Sequence, residues 1–531
     1  NKKVIKIGDK MLKISNINAP IGYDITTLKK IVTKKIGISN FSKFVIIKQS
    51  IDARKKNDIH YTLTLGVEFD GERKFANGND IVQFNFLPQY LDNILPLASD
   101  VNKKVVVVGS GPAGLFCALS LAKRGLSVVV VERGSAVEER QKKVNNFWNN
   151  GILDENCNVQ FGEGGAGTFS DGKLNTGIKS EFIGVMLNEF IKYGAPEQIG
   201  FEAKAHIGTD RLVDVVKNMR NAIINLGGSV LFNSKMVGFE TQNNKVKTVQ
   251  IEGDNGAFSL PADALVLAIG HSARDTFEML QNHNICIEQK EFSVGLRIEH
   301  NQQLIDVAQY GKVAPNLPAA DYKMATRTSS GRGCYTFCMC PGGVVVCASS
   351  QERTVVTNGM SNFARNSGFS NSAILVNVGG KDFGSDDALA GVKFQQKYES
   401  MAYNLCGNYN APAQNVTDFL QNKVGKIDVT TIKPRAQSAN LYDCLPKSVA
   451  EGIAFGLKDF GKKIVGFSEQ GVLIGVESRS SSPVKIVRDD NFECNIKGIY
   501  PCGEGCGYAG GITSASVDGI KVAIEIIKSE R

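Results

Sequence analysis

Apolar residues fall into runs of strand length and helix length that alternate over most of the 531-residue chain. Residues 1–95 combine strand-like runs with a helical pattern at residues 24–37, in which Asp24 is placed to cap the first turn. From residue 103 onward, apolar strands alternate with helical segments, which is typical of a parallel sheet covered by helices on both faces. Residues 290–475 give weaker signals and are rich in Gly and Ser.

This pattern predicts an α/β fold with more than one domain, because one hydrophobic core rarely serves more than about 300 residues. We expect a small α+β domain at residues 1–97 and a Rossmann-like nucleotide-binding domain formed by residues 98–289 and 476–531. Residues 290–475 are predicted to form an inserted α+β domain that holds the substrate or acts as a cap. A final strand and helix then return the chain to the nucleotide-binding domain.

The clearest motif is an apolar strand at residues 104–108 that runs into Gly109-Ser-Gly111-Pro-Ala-Gly114 and an apolar helix. Gly109 permits the tight turn, Gly111 leaves room for a pyrophosphate, and Gly114 lets the helix and the strand pack closely. Free amide groups at the start of the helix would hold the phosphates. Glu132 stands at the tip of the next strand, where its carboxylate can accept hydrogen bonds from ribose hydroxyls. The motif therefore predicts a bound dinucleotide.

A second acid follows an apolar strand near the carboxyl end of the chain, in the run Gly503-Glu504-Gly505 that leads through Gly510-Gly511 into a helix. The N-terminus of that helix would stabilise a bound anion by about 0.3–1 kcal/mol. The alternative interpretation is a glycine-rich turn that begins an ordinary amphipathic helix. If both acids serve one ligand, the two distant pieces of chain must converge in the fold.

Several further runs carry a resemblance to a known family: QFGEGGAGTFSDGKL at 160–174, HIGTD at 206–210, IGHSARD at 269–275, YTFCMCPGG at 335–343, GVESRSSSP at 475–483 and YPCGEGCGYAGG at 500–511. Together they resemble the bacterial family of FAD-dependent dehydrogenases in the glutathione-reductase-like superfamily, over about residues 100–525. The resemblance implies FAD as the cofactor, with Glu504 beside the ribityl chain and the helix after Gly511 directed at the flavin ring.

By the same resemblance, residues 162–173 would lie along the flavin, with Ser170 or Lys173 approaching its ring. A flexible surface loop is the competing interpretation of this glycine-rich segment. The complete set of residues assigned to FAD comprises Gly109, Ser110, Gly111, Pro112, Ala113, Gly114, Glu132, Arg133, Gly165, Gly167, Thr168, Ser170, Asp171, Gly172, Lys173, Val237, Gly270, Gly503, Glu504, Gly510, Gly511 and Ile512.

Flavin itself carries hydride at N5, so the protein needs chiefly to position a donor and an acceptor and to exclude water. We therefore expect an oxidoreductase that acts on an unidentified small organic substrate. NAD(P)H is a plausible donor that would bind transiently, because no second nucleotide-binding fingerprint is present. His271, Arg274, Glu477 and Arg479 are candidates for contact with substrate. Internal salt bridges or helix caps explain these four residues equally well.

Four cysteines, Cys334, Cys338, Cys340 and Cys347, lie close together in the sequence. Their spacing fits no standard metal or cluster motif, and we expect no metal site. Cys334, Cys338 and Cys340 would share one face of a strand, which favours buried small hydrophobic residues over thiol chemistry.

Composition and charge restrict the location and the partners that we expect for this protein. Hydrophobic residues make up 42% and charged residues 21% of a chain without a membrane-length apolar run or an apparent export signal, so we expect a cytoplasmic protein without a membrane partner. Residues 1–60 contain 14 Lys or Arg against 4 Asp or Glu. That basic end favours a polyanion partner or a solvated basic face. An RNA-modifying flavoprotein and a non-catalytic binding scaffold of the same fold are the alternatives to a small-molecule enzyme.

Overall fold

The structure is a computed structural model that describes residues 2–6, 11–70, 72–76, 80–84 and 88–529. The amino-terminal part contains β1 (Lys2–Lys6), β2 (Met11–Ala19), α1 (Ile25–Ile36), β3 (Lys43–Asp52), β4 (His60–Glu68), β5 (Glu72–Ala76), β6 (Ile81–Phe84) and α2 (Leu91–Ile94). Asp24 caps α1 by accepting a hydrogen bond from the Thr27 amide at 2.7 Å, which confirms the predicted start of this helix.

The following segment consists of β7 (Lys104–Val108), α3 (Pro112–Ala122), β8 (Ser127–Val131), α4 (Val137–Asn150), α5 (Phe182–Lys192), α6 (Thr209–Asn225), β9 (Ser229–Leu231), β10 (Ser234–Gln242), β11 (Lys245–Gly253), β12 (Gly256–Pro261), β13 (Ala264–Leu267) and α7 (Arg274–Asn282).

The remainder consists of β14 (Ile287–Gln289), β15 (Phe292–Asn301), α8 (Gln302–Tyr310), β16 (Ala325–Arg327), β17 (Gly333–Cys340), β18 (Val344–Cys347), β19 (Thr357–Met360), β20 (Phe369–Val378), α9 (Gly380–Phe383), α10 (Ala390–Cys406), β21 (Ala411–Asn415), α11 (Val416–Leu420), β22 (Ala436–Ser438), α12 (Lys447–Gly461), β23 (Val472–Glu477), β24 (Val484–Ile486), β25 (Ile499–Pro501) and α13 (Ile512–Lys528).

A parallel sheet with the strand order β25-β13-β7-β8-β9 forms the centre of the nucleotide-binding part, and we call it the central sheet. Its strand β7 reads Lys-Val-Val-Val-Val, and β-branched side chains of this kind pack well on a pleated surface. The carboxyl-terminal strand β25 lies at one edge, where Leu265 pairs with Ile499. Two pieces of chain almost 400 residues apart therefore share one sheet, as predicted, and the fold is α/β with a Rossmann-type domain.

Helices α3 and α13 pack tightly against each other beside this sheet. Every residue of α3 after Pro112 is buried, which its uninterrupted apolar sequence explains. A Cβ atom added to Gly519 of α13 would lie 2.2 Å from the carbonyl oxygen of Ala113, so glycine is required for this close approach. The contact brings the N-termini of the two helices to the same side of the central sheet.

A mixed sheet with the strand order β16-β17-β20-β15-β23-β21-β22 builds the inserted part, and we call it the second sheet. Strands β15 and β20 pair over ten positions, from Phe292 opposite Val378 to Asn301 opposite Phe369. Helix α12 packs on this sheet, where a Cβ at Gly452 would contact the Val376 side chain at 2.9 Å. The predicted domain division at residues 97, 289 and 475 stays a prediction, and β23 runs two residues past the last of these positions.

The amino-terminal sheet β3-β4-β2-β6 packs its apolar face on α1 through Leu28 and Val32. It joins the rest of the chain through backbone hydrogen bonds of Gln49 with Phe201 and Ala203, each 2.8 Å long. Among the helices of the described residues, none is both long enough and apolar enough to cross a membrane.

Candidate functional site

A cavity of about 370 Å³ lies at the carboxyl ends of the central-sheet strands. Val108, Val131, Ala268 and Cys502 mark those strand ends in its wall. In an open α/β sheet this is the edge at which ligands bind. The second sheet and its neighbouring strands supply the opposite wall, through Phe337, Cys338, Thr357, Asn358 and Glu477.

The glycine-rich turn between β7 and α3 is shaped by contacts that exclude a side chain. A Cβ atom at Gly109, where φ is +100°, would lie 2.2 Å from the Ala268 carbonyl oxygen. A Cβ atom at Gly114 would lie 1.9 Å from the Gly109 carbonyl oxygen. Helix α3 begins at Pro112 without a side-chain cap, so its first free amides are available to an anion. This geometry agrees with the roles predicted for both glycines.

Glu132 lines the cavity and also connects three loops around it. Its carboxylate accepts hydrogen bonds from the Ser110 amide at 2.9 Å and hydroxyl at 2.7 Å, and from the amides of Gly134 and Gly162 at 3.0 Å each. A carboxylate offers about four acceptor positions. Four protein donors already bond to the Glu132 carboxylate, so a ribose hydroxyl would have to share or replace one of them. The sequence motif did not show that these acceptor positions are occupied.

Glu504 lines the same cavity beside the start of α13, and it follows β25, three positions along the central sheet from the strand β8 that precedes Glu132. The Gly511 amide donates a hydrogen bond to its carboxylate at 3.2 Å. Burial raises the pKa of Glu504 to about 7, although that hydrogen bond and the charge of Lys290 oppose the rise. A Cβ atom at Gly511 would meet nothing within 4 Å, so open space adjoins the uncapped N-terminus of α13. The two acids thus face one cavity.

Residues 162–173 are largely buried along the cavity, so the interpretation as a flexible surface loop is wrong. Arg140 of α4 holds the segment by donating hydrogen bonds to the carbonyl oxygens of Glu163 at 2.6 Å and Gly165 at 2.9 Å. Arg140 is fully buried, and sequence reasoning missed it. Its position between Val137 and Val144 on the apolar face of a helix was the available signal.

Asp171 and Lys173 belong to a charged cluster at the cavity wall. Arg365 approaches the buried Asp171 carboxylate at 2.6 Å, and Ser361 donates a hydrogen bond to it. Burial would raise the pKa of Asp171, but Lys173 and Arg365 hold it below its ordinary value. The Lys173 ammonium lies 3.5 Å from Asp171 and has no hydrogen-bond partner although the nitrogen is buried.

The four candidates for substrate contact divide into two groups. His271, Glu477 and Arg479 line the cavity, whereas Arg274 does not. Arg274 forms a bidentate ion pair with buried Glu399 at 2.8 and 2.9 Å, which corrects its assignment to substrate and supports the salt-bridge alternative.

Arg479 binds the same Glu399 carboxylate at 2.7 and 3.0 Å, and Glu477 binds Arg297 at 2.6 and 2.9 Å. Sequence reasoning missed Glu399 and Arg297, which lie far along the chain from their partners. Burial, and after it the charges of Arg479 and Arg274, lowers the pKa of His271 to about 4. The cavity therefore presents a neutral imidazole at neutral pH.

Most of the residues assigned to FAD line the cavity, and five do not. Val237 is 38% exposed on β10. Its neighbours Ser234 and Met236 line the cavity instead, because alternate residues of a strand point to opposite faces. The others are Ser110, Gly114, Thr168 and Gly503. Three of these residues support residues of the cavity wall. Ser110 donates hydrogen bonds to Glu132, and Gly114 packs against the Gly109 carbonyl group. The Gly503 amide donates a hydrogen bond to Asp518 at 2.7 Å.

The four clustered cysteines do not share one environment. Cys334, Cys340 and Cys347 are buried, whereas Cys338 is partly exposed and lines the cavity. The expected regular alternation along the strand is wrong here, because one extra residue lies between Phe337 and Cys340 relative to the partner strand β20. No group of three or more His, Cys, Asp or Glu side chains is arranged to hold a metal ion within the described ranges.

Three family models match the chain. The model for pyridine nucleotide-disulphide oxidoreductases matches residues 103–304, and the model described as FAD-dependent protein, C-terminal domain-like, matches residues 291–480. Residues 11–68 match a domain of unknown function (DUF8436).

Three solved structures that resemble this one share little sequence identity with it. A geranylgeranyl bacteriochlorophyll reductase-like protein of Thermoplasma acidophilum is 14% identical, with 80% of this chain and 78% of that chain covered and a TM-score of 0.36. The E. coli quinol fumarate reductase FrdA is 10% identical, with 80% and 70% covered and a TM-score of 0.37. Aklavinone-11 hydroxylase, solved with FAD and aklavinone, is 13% identical, with 80% and 62% covered and a TM-score of 0.33.

A much nearer relative is a Clostridium beijerinckii protein described as uncharacterized. It is 44% identical over 530 residues, which cover 97% of this chain and 98% of that protein. With this relative and the matches to two flavoprotein-related models over residues 103–480, the chain belongs to an FAD-dependent oxidoreductase family, the one that includes the Clostridium beijerinckii protein.

Proposed function

We propose that the chain is a dehydrogenase or reductase that binds FAD in the described cavity, takes reducing equivalents from NAD(P)H and passes hydride to a small organic substrate. The observation that carries this proposal is the convergence of two uncapped helix N-termini and two acids on one cavity. FAD, when bound, supplies hydride transfer at its N5 atom.

The residues of the cavity fit an extended dinucleotide. The amides at the start of α3 would hold the pyrophosphate, because a helix N-terminus carries partial positive charge and free N–H groups. Glu132 would face the adenosine sugar. Glu504 and the start of α13 would face the ribityl chain and the ring, where Gly510 and Gly511 leave open space.

The protein's own groups would set the charge around the ring. With the pKa of Glu504 near 7, its carboxyl group exchanges a proton in the physiological range, and the protonated form removes a negative charge from the site. The N-terminus of α13 would then stabilise the anion that forms when flavin is reduced. His271 stays neutral and can accept or donate one hydrogen bond without adding charge.

The substrate would occupy the part of the cavity that the second sheet and β19 close. Phe337, Cys338 and Asn358 offer an apolar ring, a thiol and an amide there. NAD(P)H would reach the flavin only transiently, because residues 104–114 are the sole dinucleotide fingerprint in the sequence. The RNA-modifying alternative gains no support from the comparisons, since residues 11–68 match only a domain of unknown function.

The test is anaerobic spectroscopy of the purified protein. We expect the absorbance of bound flavin at one FAD per chain, and bleaching of that absorbance when NADH or NADPH is added in a stopped-flow instrument. The dehydrogenase proposal fails if FAD binds but neither nucleotide reduces it within minutes. Failure to bind FAD at all would contradict the cofactor assignment itself.

A further inference from the structure

We propose that Cys338 and Cys340 are a redox-active thiol pair, with Cys338 in the wall of the flavin cavity as the reactive thiolate, Cys340 behind it as the second thiol, and Lys173 as the counter-ion. The sequence favoured buried small hydrophobic residues over thiol chemistry at these positions, an expectation from which the proposal departs. The pair rests on three observations: the local backbone, the surrounding charges and the position of Cys338 relative to Glu504.

The backbone of β17 brings the two sulfur-bearing residues together. In a regular strand, residues i and i+2 are about 6.6–6.8 Å apart, near the upper limit for a disulfide. Here the extra residue between Phe337 and Cys340 interrupts the ladder, and Cys338 has a φ of 44°. A left-handed residue other than glycine is uncommon in a strand and shortens it locally. The Cys340 thiol already donates a hydrogen bond to the Cys338 carbonyl oxygen at 3.3 Å.

The charges around Cys338 favour its ionised form. The neighbouring Cys340 side chain, and after it the positive charges of Lys173 and Arg297, hold the pKa of Cys338 below its ordinary value against burial and the charge of Asp171. Of the two cations, Arg297 is already paired with Glu477.

The Lys173 ammonium lies 3.5 Å from the Asp171 carboxylate, but Arg365 also pairs with that carboxylate at 2.6 Å. Because the buried Lys173 nitrogen makes no hydrogen bond, it can also face a thiolate. Reactive cysteines occupy electropositive, partly exposed positions of this kind.

Cys338 also lies at the end of the cavity assigned to the flavin ring. Both Cys338 and Glu504 line the cavity, and the negative charge of Cys338 contributes to the raised pKa of Glu504. Cys340 is buried behind Cys338 and, like Cys334 and Cys347, lines no part of the cavity, so Cys338 is the member of the pair that faces it. The thiol pair therefore adjoins the group that would exchange electrons with it.

The exchange balances with FAD as the oxidant. The Cys338 thiolate and the Cys340 thiol form one S–S bond, the S–H bond of Cys340 breaks, and its proton with two electrons passes to FAD. The products are a disulfide and the reduced flavin anion, FADH⁻. The reverse reaction uses FADH⁻ to return the pair to thiolate and thiol. This step rests on the proposed FAD site but needs no assumption about the organic substrate.

Alkylation of the native protein tests the thiol assignment without using catalytic activity. At pH 7, iodoacetamide should modify Cys338 about tenfold faster than the more exposed Cys286 and the partly exposed Cys406, as counted by peptide mass spectrometry. Lys173→Met should remove most of this advantage, and Lys173→Arg, which keeps the charge, should retain it. Equal rates for the three cysteines would overturn the assignment of Cys338 as a thiolate.

Oxidation tests the pairing. Diamide should link Cys338 to Cys340 within one chain, and the Cys340→Ser variant should lose this disulfide. In the holoprotein, anaerobic photoreduction of FAD should restore both thiols with one flavin reoxidised per disulfide. Failure to form the disulfide would overturn the pair, and a disulfide that reduced flavin leaves intact would overturn the electron exchange. Neither the alkylation nor the diamide assay needs FAD, so their failure is distinguishable from failure of the cofactor proposal.

Discussion

Single residues in this protein have properties that only their folded surroundings produce. Glu132 and Glu504 were predicted from their places after strands, and the structure puts both at the cavity. Arg297 and Glu399 were not predicted because their partners are distant in sequence, and Arg140 was missed although it lies on the apolar face of α4. The sequence could indicate which acids follow strands, but it could not reveal the buried charges that hold the walls.

Glu504 makes a prediction about pH. It ionises near its ordinary pKa of 4.5 in the unfolded chain but near 7 in the folded protein, so the folded state favours the protonated form. The stability that this preference contributes is present below pH 4.5 and is lost as the pH rises to about 7. The Glu504→Gln variant should therefore be about 1–3 kcal/mol more stable than the wild type at pH 8 and similar at pH 4.5.

Thermal denaturation of the FAD-free proteins at the two pH values measures this difference. Exposed Glu469 offers a matched control, and Glu469→Gln should leave the wild-type pH dependence unchanged. If the stability of Glu504→Gln depends on pH as that of the wild type does, burial does not raise the pKa of Glu504 as described.

Glu399 makes a prediction about stability. Its carboxylate receives the guanidinium groups of Arg274 and Arg479, and all three side chains are buried. Glu399→Gln would leave two buried cations without a counter-charge, so we expect a loss of about 3–5 kcal/mol in unfolding free energy. Urea denaturation measures it. The control is Glu451→Gln, which removes an exposed pair with Lys447 at 3.9 Å and should cost less than about 1 kcal/mol. Similar losses for both variants would contradict the stabilising role of the ion pairs that Glu399 forms with Arg274 and Arg479.

At the scale of elements, the strand-turn-helix unit from β7 to α3 was predictable because its contacts are local. The same holds for α1 with its Asp24 cap. The second sheet was not predictable, because its neighbours are set by pairings between strands far apart, such as β15 with β23. The irregular register of β17 depends on its partner β20 in the same way.

The turn between β7 and α3 gives a prediction at this scale. Gly114→Ala would place a methyl group 1.9 Å from the Gly109 carbonyl oxygen, so α3 must move away from the turn that would hold the pyrophosphate. We expect FAD affinity to fall by about tenfold or more, because overpacking of this kind costs about 1–3 kcal/mol. Gly184→Ala is the matched control: it is also helical, and its Cβ would meet nothing within 4 Å.

Fluorescence titration with FAD measures both affinities. Gly184→Ala should bind FAD as the wild type does. Unchanged binding by Gly114→Ala would show that the close packing of turn and helix does not define the FAD site.

At the scale of the whole molecule, the fold joins both ends of a Rossmann-type domain around an inserted sheet. Sequence patterns predicted the convergence because the β7 and β25 regions each show a strand, a glycine turn and a helix. They also predicted a cap formed by residues 290–475, but not the side chains that it supplies to the cavity, such as Cys338 of the second sheet and Asn358 of β19. The chemistry of the substrate side is therefore a property of the assembled molecule.

A crystal structure of the protein with FAD tests the central claim most directly. The account predicts one FAD in the described cavity, with its pyrophosphate at the start of α3, its adenosine sugar beside Glu132 and its flavin ring between the start of α13 and Cys338. An FAD bound elsewhere, or bound with its ring at the Glu132 end, would contradict the account.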